Sequence, residues 1–437
     1  MSFGPSAAKQ FVAVVRRAGL DDPWSLSFPE PVQFCWDDAA SGVRALGAGV
    51  LATWEGRGGS AWDEVDRLHT PVGFPQSDGL PSPYWIGAAF DPDRFETADS
   101  PWVDFPTFRW VLPRFLAWRE AGETQWCEFA RVGSGGELAA LRALETEIDS
   151  RQVGQALAGD RPRFAVTPQA ALQDAAQWGA RVAQALKQIE AKSLSKVVLA
   201  RTLDGSLTAP PSVADTARAL AAHAASATVF VTRGRSETSL FAGVTPERLI
   251  RLRGRRFETE ALASSSRVEE IDTLARGDKE KREHASVVQG IREALGPFCS
   301  ALHVAPEARL LKLPYVAHLR TQVSGELKDG VRLGAMLGAL APTSAVGGEP
   351  GAQALAFLRE NEPFDRGWYA GTIGFAGPRG VELRVAIRSA LFRATQVRLF
   401  VGAGIVRGSS AESEWAETEN KARAILEAIA GGPGAAR

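Results

Sequence analysis

Cysteine is scarce in this 437-residue chain: Cys35, Cys127 and Cys299 stand far apart, with no Cys-x-x-Cys pair among them. An odd, wide set of that kind excludes a disulfide framework and a cysteine zinc site, and it fits a reducing cytoplasm. An excess of one charge is missing too. Fifty Lys and Arg face 51 Asp and Glu, for a formal net charge of -1. Such a balance gives no electrostatic footprint for nucleic acid or a membrane surface, which leaves a small molecule as the expected partner. No apolar run reaches the roughly 18 residues of a membrane span, and the FVAVV run near the N-terminus is too short for an export signal. A chain with no export and no membrane span is expected. The sequence has no P-loop, and Gly402-Ala403-Gly404 lacks both the third glycine and the βαβ setting of a dinucleotide fingerprint. Repeats of roughly 20–50 residues and Ser/Gly-rich linkers are absent as well.

What is present begins with aromatic residues. Nine of the 12 tryptophans fall in residues 1–130, among short runs such as VQFCW, YWIGAAF and TFRWVLPRFLAW that read as strands separated by turns. A sheet core packed with large rings accounts for them, and no chemistry is placed in this part. The pattern turns helical from Glu137 to Leu157, breaks at Gly159–Arg163, and turns helical again from about Gln169 to Ala191. That break is the best internal seam, and composition alone leaves two domains or one continuous fold open.

Beyond it, Lys196 opens the apolar strand KVVLAR. A lysine there is either a solvated strand edge or, partly buried, a base. Further strands TVFVTR (228–233) and SLFAG lead to Pro246, which stiffens a turn, and Glu247, which follows it; RFETEALASSSR (256–267) comes next. A helix expected over Asp278–Leu295 carries Glu280 and Glu283 three residues apart, near its N-terminus. The strand LPYVAHLRTQVSGEL (313–327) contains His318, and two short helices, RLGAMLGAL and GAQALAFLREN, flank the loop 341–348.

The stretch from Trp368 to Lys421 then reads as three hairpin-connected strands, WYAGTIGFAG, GVELRVAIRSALF and QVRLFVGAGIV, followed by a helix. At about 100° per residue, Glu414, Glu417 and Lys421 fall within roughly 60° of one another on that helix. Arg388 lies in an apolar strand, and Gly402 and Gly404 would let a ligand approach the backbone. Helix-dipole complementation explains such a cluster equally well. Four glutamates on two helices also suffice for an oxygen-liganded divalent cation, Mg²⁺ being preferred because it takes one or two carboxylates plus water and an anionic substrate.

The ordered motifs KVVLAR, FAGVTPERL, ETEALASSSR, KEKREH, LPYVAHLRT, PTSAVGGEP, EPFDRGWYAG, VAIRSA, GAGIV and EWAETENK resemble those of the chorismate-utilising enzymes, and within them the isochorismate synthases. The resemblance covers about residues 172–431. It implies a single α+β domain over 1–437 with a large antiparallel sheet core flanked by helices, in which the less similar half, 1–165, completes the core. It also sets the two-domain reading aside. Nothing in the pattern demands more than a monomer.

The same resemblance implies a reaction in which water adds at C2 of chorismate while the C4 hydroxyl leaves. Lys196 would activate the water and Glu247 protonate the departing hydroxyl; water is a poor nucleophile without a base, and hydroxide a poor leaving group without a proton. Glu283 and Glu417 would be the main Mg²⁺ ligands, with Glu280 and Glu414 close by through water, and the metal would bind the C1 carboxylate. Tyr369, Arg388, the backbone near Gly402 and Gly404, and Lys421 would hold the other carboxylate, with Ser265 and His318 also at the substrate. Lys196 and PTSAVGG resemble the isochorismate branch rather than the ammonia-using relatives. Ser264-Ser265, Ala341 and Ser344 depart from the usual pattern. A salicylate synthase, which adds pyruvate elimination, and a silent chorismate binder are the alternatives.

Overall fold

The computed structural model describes residues 10–430 except 19, 76–79, 81, 95, 121, 150–153, 156–165, 169–174, 268–276 and 313–315. The seam at Gly159–Arg163, the start of the expected second helix and the first residues of the LPYVAHLR strand therefore lie outside the described residues. That second helix runs Ala175–Glu190.

Alternation with period two builds two faces on one sheet. Phe34, Trp36 and Phe230 point into one apolar cluster, whereas Cys35, Val229 and Val231 point into another. The sheet has 12 strands and faces a second of ten; every pairing between their strands is antiparallel. The first cluster fills the space between the sheets and includes Trp85 stacked on Phe34 at 4.5 Å. The second lies under helices. With helices beside large antiparallel sheets, the fold is the expected α+β type. Strands of the N-terminal part enter both sheets, Val32–Asp38 pairing with Thr228–Arg233 and Trp85–Ala88 with Thr372–Gly377. Most of the early tryptophans are core residues; the indole N–H of Trp24 donates to the Ala45 carbonyl and that of Trp102 to the Asp365 carbonyl, whereas the buried Trp110 Nε1 has no hydrogen-bond partner among the described residues.

The elements that build the site are, in chain order, strands Lys196–Leu207 (β1), Ser239–Thr245 (β2), Arg248–Arg253 (β3) and Arg256–Arg267 (β4), helix Asp278–Leu295 (α1), strands Val316–Leu327 (β5), Gly380–Val385 (β6), Ser389–Arg393 (β7) and Gln396–Val406 (β8), and helix Ala411–Ala430 (α2). One expectation needs correction. GVELRVAIRSALF is not one strand: β6 belongs to the ten-stranded sheet and β7 to the 12-stranded one. The break falls at Arg388, whose φ of 50° is incompatible with a strand. A second crossing runs the other way, from β2 through Pro246 and Glu247 into β3. Two chain segments thus pass side by side between the sheets.

Under the crossings lies a buried charge network. Arg384 bonds Asp38 at 2.8 Å and Glu382 at 2.6 Å, and its Nε donates to the Thr228 hydroxyl at 3.0 Å. Burial would raise the Asp38 carboxyl, but Arg384 and the Ser41 hydroxyl outweigh it and hold it at about 2. A depressed acid stabilises the fold above its ordinary range, and the contribution is lost as pH falls through about 2. Arg384→Met would leave Asp38 and Glu382 buried without that cation. Urea unfolding at pH 7 is expected to show a loss of about 3–5 kcal/mol; a loss below about 1 kcal/mol would mean that Arg251 and Arg248 suffice for both carboxylates.

Candidate active site

Helix α1 buries Val287, Ile291 and Leu295 at helical spacing, and its first turn carries Asp278 and Glu280, which complement the dipole. That face fixes the direction of Glu283. Next to it, burial lowers His284 to about 4, with Glu283 opposing, and its Nε2 meets the Thr321 hydroxyl of β5 at 2.7 Å. Helix α2 is fastened to β1 by the buried Arg201, which donates to Thr418 Oγ1 at 2.8 Å, pairs with Glu419 and lies 3.9 Å from the Trp415 ring centroid. Glu417 and Lys421 are thereby aimed at the sheet.

These elements enclose a cavity of roughly 650 Å³, counted out to its open mouth, at the point where the two crossings meet α1 and α2. Its wall includes Glu247, Glu283, His318, Tyr369, Arg388, Gly402, Gly404, Glu417 and Lys421. Nine residues singled out from the sequence are brought together. Lys196 stands just behind the wall, 1% exposed, with its Nζ 3.0 Å from Glu283 Oε1. Glu280 and Glu414 are not among the lining residues, and Glu414 is buried. Ser265 pairs with His318 across β4 and β5, beside a register shift between Ala263 and Ser265; the side chains of 264–267 lie outside the described residues.

Electrostatics divides the cavity into an acid and a cationic part. Burial pushes the Glu247 carboxyl up to about 8 and nearby Glu260 adds to the rise, while Lys196, the Thr343 hydroxyl and Arg388 oppose it. Glu247 is therefore mostly protonated at neutral pH and can give a proton. Burial lowers the Arg388 guanidinium to about 10, with Glu247 opposing, and leaves it cationic at neutral pH. Its Nη2 contacts His318 Nε2. A guanidinium has only N–H groups to offer, so Nε2 accepts and His318 carries its proton on Nδ1. Lys421 donates to the Gly402 carbonyl at 2.9 Å and pairs with Glu417 at 2.7 Å. Tyr369 stacks on Phe400 at 5.2 Å.

Two glycines leave the room this arrangement needs. A Cβ on Gly402 would fall 2.9 Å from the Tyr369 hydroxyl, and one on Gly404 would fall 2.5 Å from Glu283 Oε1 and 3.1 Å from Lys196 Cε. Gly404→Ala should displace the Lys196–Glu283 pair. Steady-state kinetics should show kcat lowered by about 10²-fold, the usual cost of a misplacement near 1 Å, with a melting temperature close to that of the parent. Unchanged kcat would mean that the pair shifts without consequence.

Sequence reasoning missed several lining or supporting residues. Thr343 and Glu260 lie inside quoted motifs but lacked a role; Phe400 could have been found, because it shares the alternating face of Gly402 and Gly404. Leu262, Val346 and Ile387, also on the wall, carry no signal beyond apolarity.

Among the described residues no three of His, Cys, Asp and Glu gather into a ready-made metal cluster. The donor set nonetheless suits a hard cation. Glu283 and Glu417 reach one cavity from two helices, and two carboxylates with water and an anionic ligand are what Mg²⁺ commonly takes.

Comparison with known proteins gives a consistent picture. A family model described as "Chorismate binding enzyme" matches residues 25–430. The isochorismate synthase MenF of Pasteurella multocida is 36% identical over 265 residues, covering 58% of this chain and 61% of that relative, less than two thirds of its length. MenF of Bacillus subtilis is 30% identical over 436 residues, 91% of this chain and 88% of the relative. A solved structure of MenF, the menaquinone-specific isochorismate synthase from Escherichia coli, superposes with a TM-score of 0.77 at 27% identity, covering 97% of this chain and 95% of the other.

Proposed function

The chain belongs to the chorismate-binding enzymes, and from that premise we propose that it is an isochorismate synthase, an isomerase that adds water at C2 of chorismate and expels the C4 hydroxyl. The observation that carries this reading is a buried carboxyl held protonated, Glu247, in one cavity with a cationic anion site and a buried Lys196–Glu283 pair.

The steps follow from the side chains. Arg388, Lys421, Tyr369 and the backbone around Gly402 and Gly404 bind a carboxylate and fix the ring. Lys196 takes a proton from water as the water oxygen bonds to C2, and the Glu283 carboxylate stabilises the ammonium that results. The ring double bonds shift, the C4–O bond breaks, and Glu247 gives its proton to the departing oxygen, which leaves as water. One water is consumed and one released, so the product is an isomer. Glu283 and Glu417 would hold Mg²⁺, with Glu280 and Glu414 behind them. When bound, the ion would neutralise the substrate carboxylate and draw electron density from the ring.

We assign the product to menaquinone formation on the strength of the near full-length likeness to menaquinone-specific MenF. The three cysteines are free, which suits the cytoplasm. We take the protein to act as a monomer, since nothing in its pattern demands a second copy. The test is to incubate the purified protein with chorismate, with and without Mg²⁺, and to separate the products chromatographically. Isochorismate formed only with Mg²⁺ is expected. Salicylate with pyruvate would move the protein to the eliminating branch, and unchanged chorismate would make it a silent binder.

A further inference from the structure

Glu247 needs accurate placement, yet little grips its carboxyl: the Thr343 hydroxyl lies 3.5 Å away, at the outer limit of a hydrogen bond. Its position must come from the backbone. The Glu247 amide donates to Thr245 Oγ1 at 3.3 Å, and its carbonyl accepts from the Val385 amide at 3.1 Å. The same Thr245 hydroxyl donates to the Val385 carbonyl at 2.6 Å. Thr245 is wholly buried. One hydroxyl, with one proton to give and lone pairs to receive, thus ties the crossing that carries Glu247 to the crossing that carries Arg388. The tie is reinforced one residue earlier, where the Val244 amide donates to the Arg388 carbonyl at 3.1 Å.

We propose that Thr245 is a positioning residue: by bridging the two sheet crossings it fixes the proton donor Glu247 relative to the substrate anchored at Arg388. The proposal rests on the isochorismate synthase reading. It separates the roles of the two crossings, since loosening the bridge shifts the acid while Arg388, still held by the Val244 amide and by His318, keeps its grip on the carboxylate. Proton transfer should suffer and binding should not.

Thr245→Val keeps the shape and removes the hydroxyl. It is expected to lower kcat for chorismate by about 10–100-fold, as a misplaced acid does, and to change KM by less than about threefold. Thr245→Ser restores the hydroxyl and should return kcat to within about threefold of the parent. A readout that needs no turnover is amide hydrogen exchange. Val385, which donates to Glu247, should exchange at least about tenfold faster in Thr245→Val, while Val381 in the same strand stays protected. A Val variant with parental kcat, a Ser variant as slow as the Val variant, or unchanged Val385 exchange would each overturn the proposal. Should Thr245→Val not fold, Thr245→Ala is judged by the same criteria. If the parent chain leaves chorismate untouched, the functional reading falls, and the exchange rates still decide whether Thr245 couples the crossings.

Discussion

Lys196→Ala is expected to lower the rate of water addition by about 10²–10⁴-fold, the usual contribution of a positioned base, while chorismate binding changes by less than about threefold. Two sets of residues act separately here. Arg388, Lys421 and Tyr369 line the cavity and face the substrate, whereas Lys196 stands behind the wall against Glu283, 3.0 Å away. Removing the Lys196 amine takes away the group that accepts the water's proton and leaves the anion site in place. Calorimetric titration with chorismate, alongside product rates, checks both halves. Lys196 is also 1% exposed, and deleting it leaves Glu283 without its ammonium partner, so Lys196→Gln should accompany it. Loss of folding in both variants would mark Lys196 as a structural lysine. Loss of binding in a folded variant would place it at the substrate carboxylate instead.

Glu247→Gln should cost about as much activity and yet yield a more stable protein. Burial first, and Glu260 second, raise the Glu247 carboxyl to about 8, so in the fold it keeps a proton that the unfolded chain releases near its ordinary value of 4.5. The folded state then binds more protons than the unfolded one between those values, and stability falls as pH rises across that window. An amide has no such penalty, so the variant should melt higher than the parent at pH 8 and no higher at pH 4. Activity in the parent should show the other face of the same ionisation. Above about 8 the acid is spent, and kcat should fall about tenfold per pH unit. A variant that melts lower at pH 8, or a parent profile flat to pH 10, would remove Glu247 as the proton donor.

Much of this architecture is legible in the sequence where local signals are clean. Strand 228–233 and helix 278–295 lie where their composition and bounding residues put them. The run from Val381 to Phe392 is different. It holds no Gly or Pro, so its composition gives one strand, and the break comes from an arginine in a left-handed conformation, for which local sequence offers no cue. That break makes the site, because it carries the chain between sheets beside Glu247. Helical spacing put Glu414, Glu417 and Lys421 on one side of α2, and two of the three line the cavity. Spacing gives an angle around the axis but not how far along it the cavity reaches, and Glu414, nearer the N-terminus, is buried and does not line it. The pairing of Lys196 with Glu283 joins a strand to a distant helix, and no local pattern encodes it.

The most direct test of the central claim is to run the reaction in water enriched in oxygen-18 and weigh the isochorismate. Addition of solvent water at C2 with loss of the C4 hydroxyl predicts one labelled oxygen in every product molecule formed in the forward direction. Unlabelled isochorismate would show that the hydroxyl migrates without exchange, and would contradict the roles given to Lys196 and Glu247.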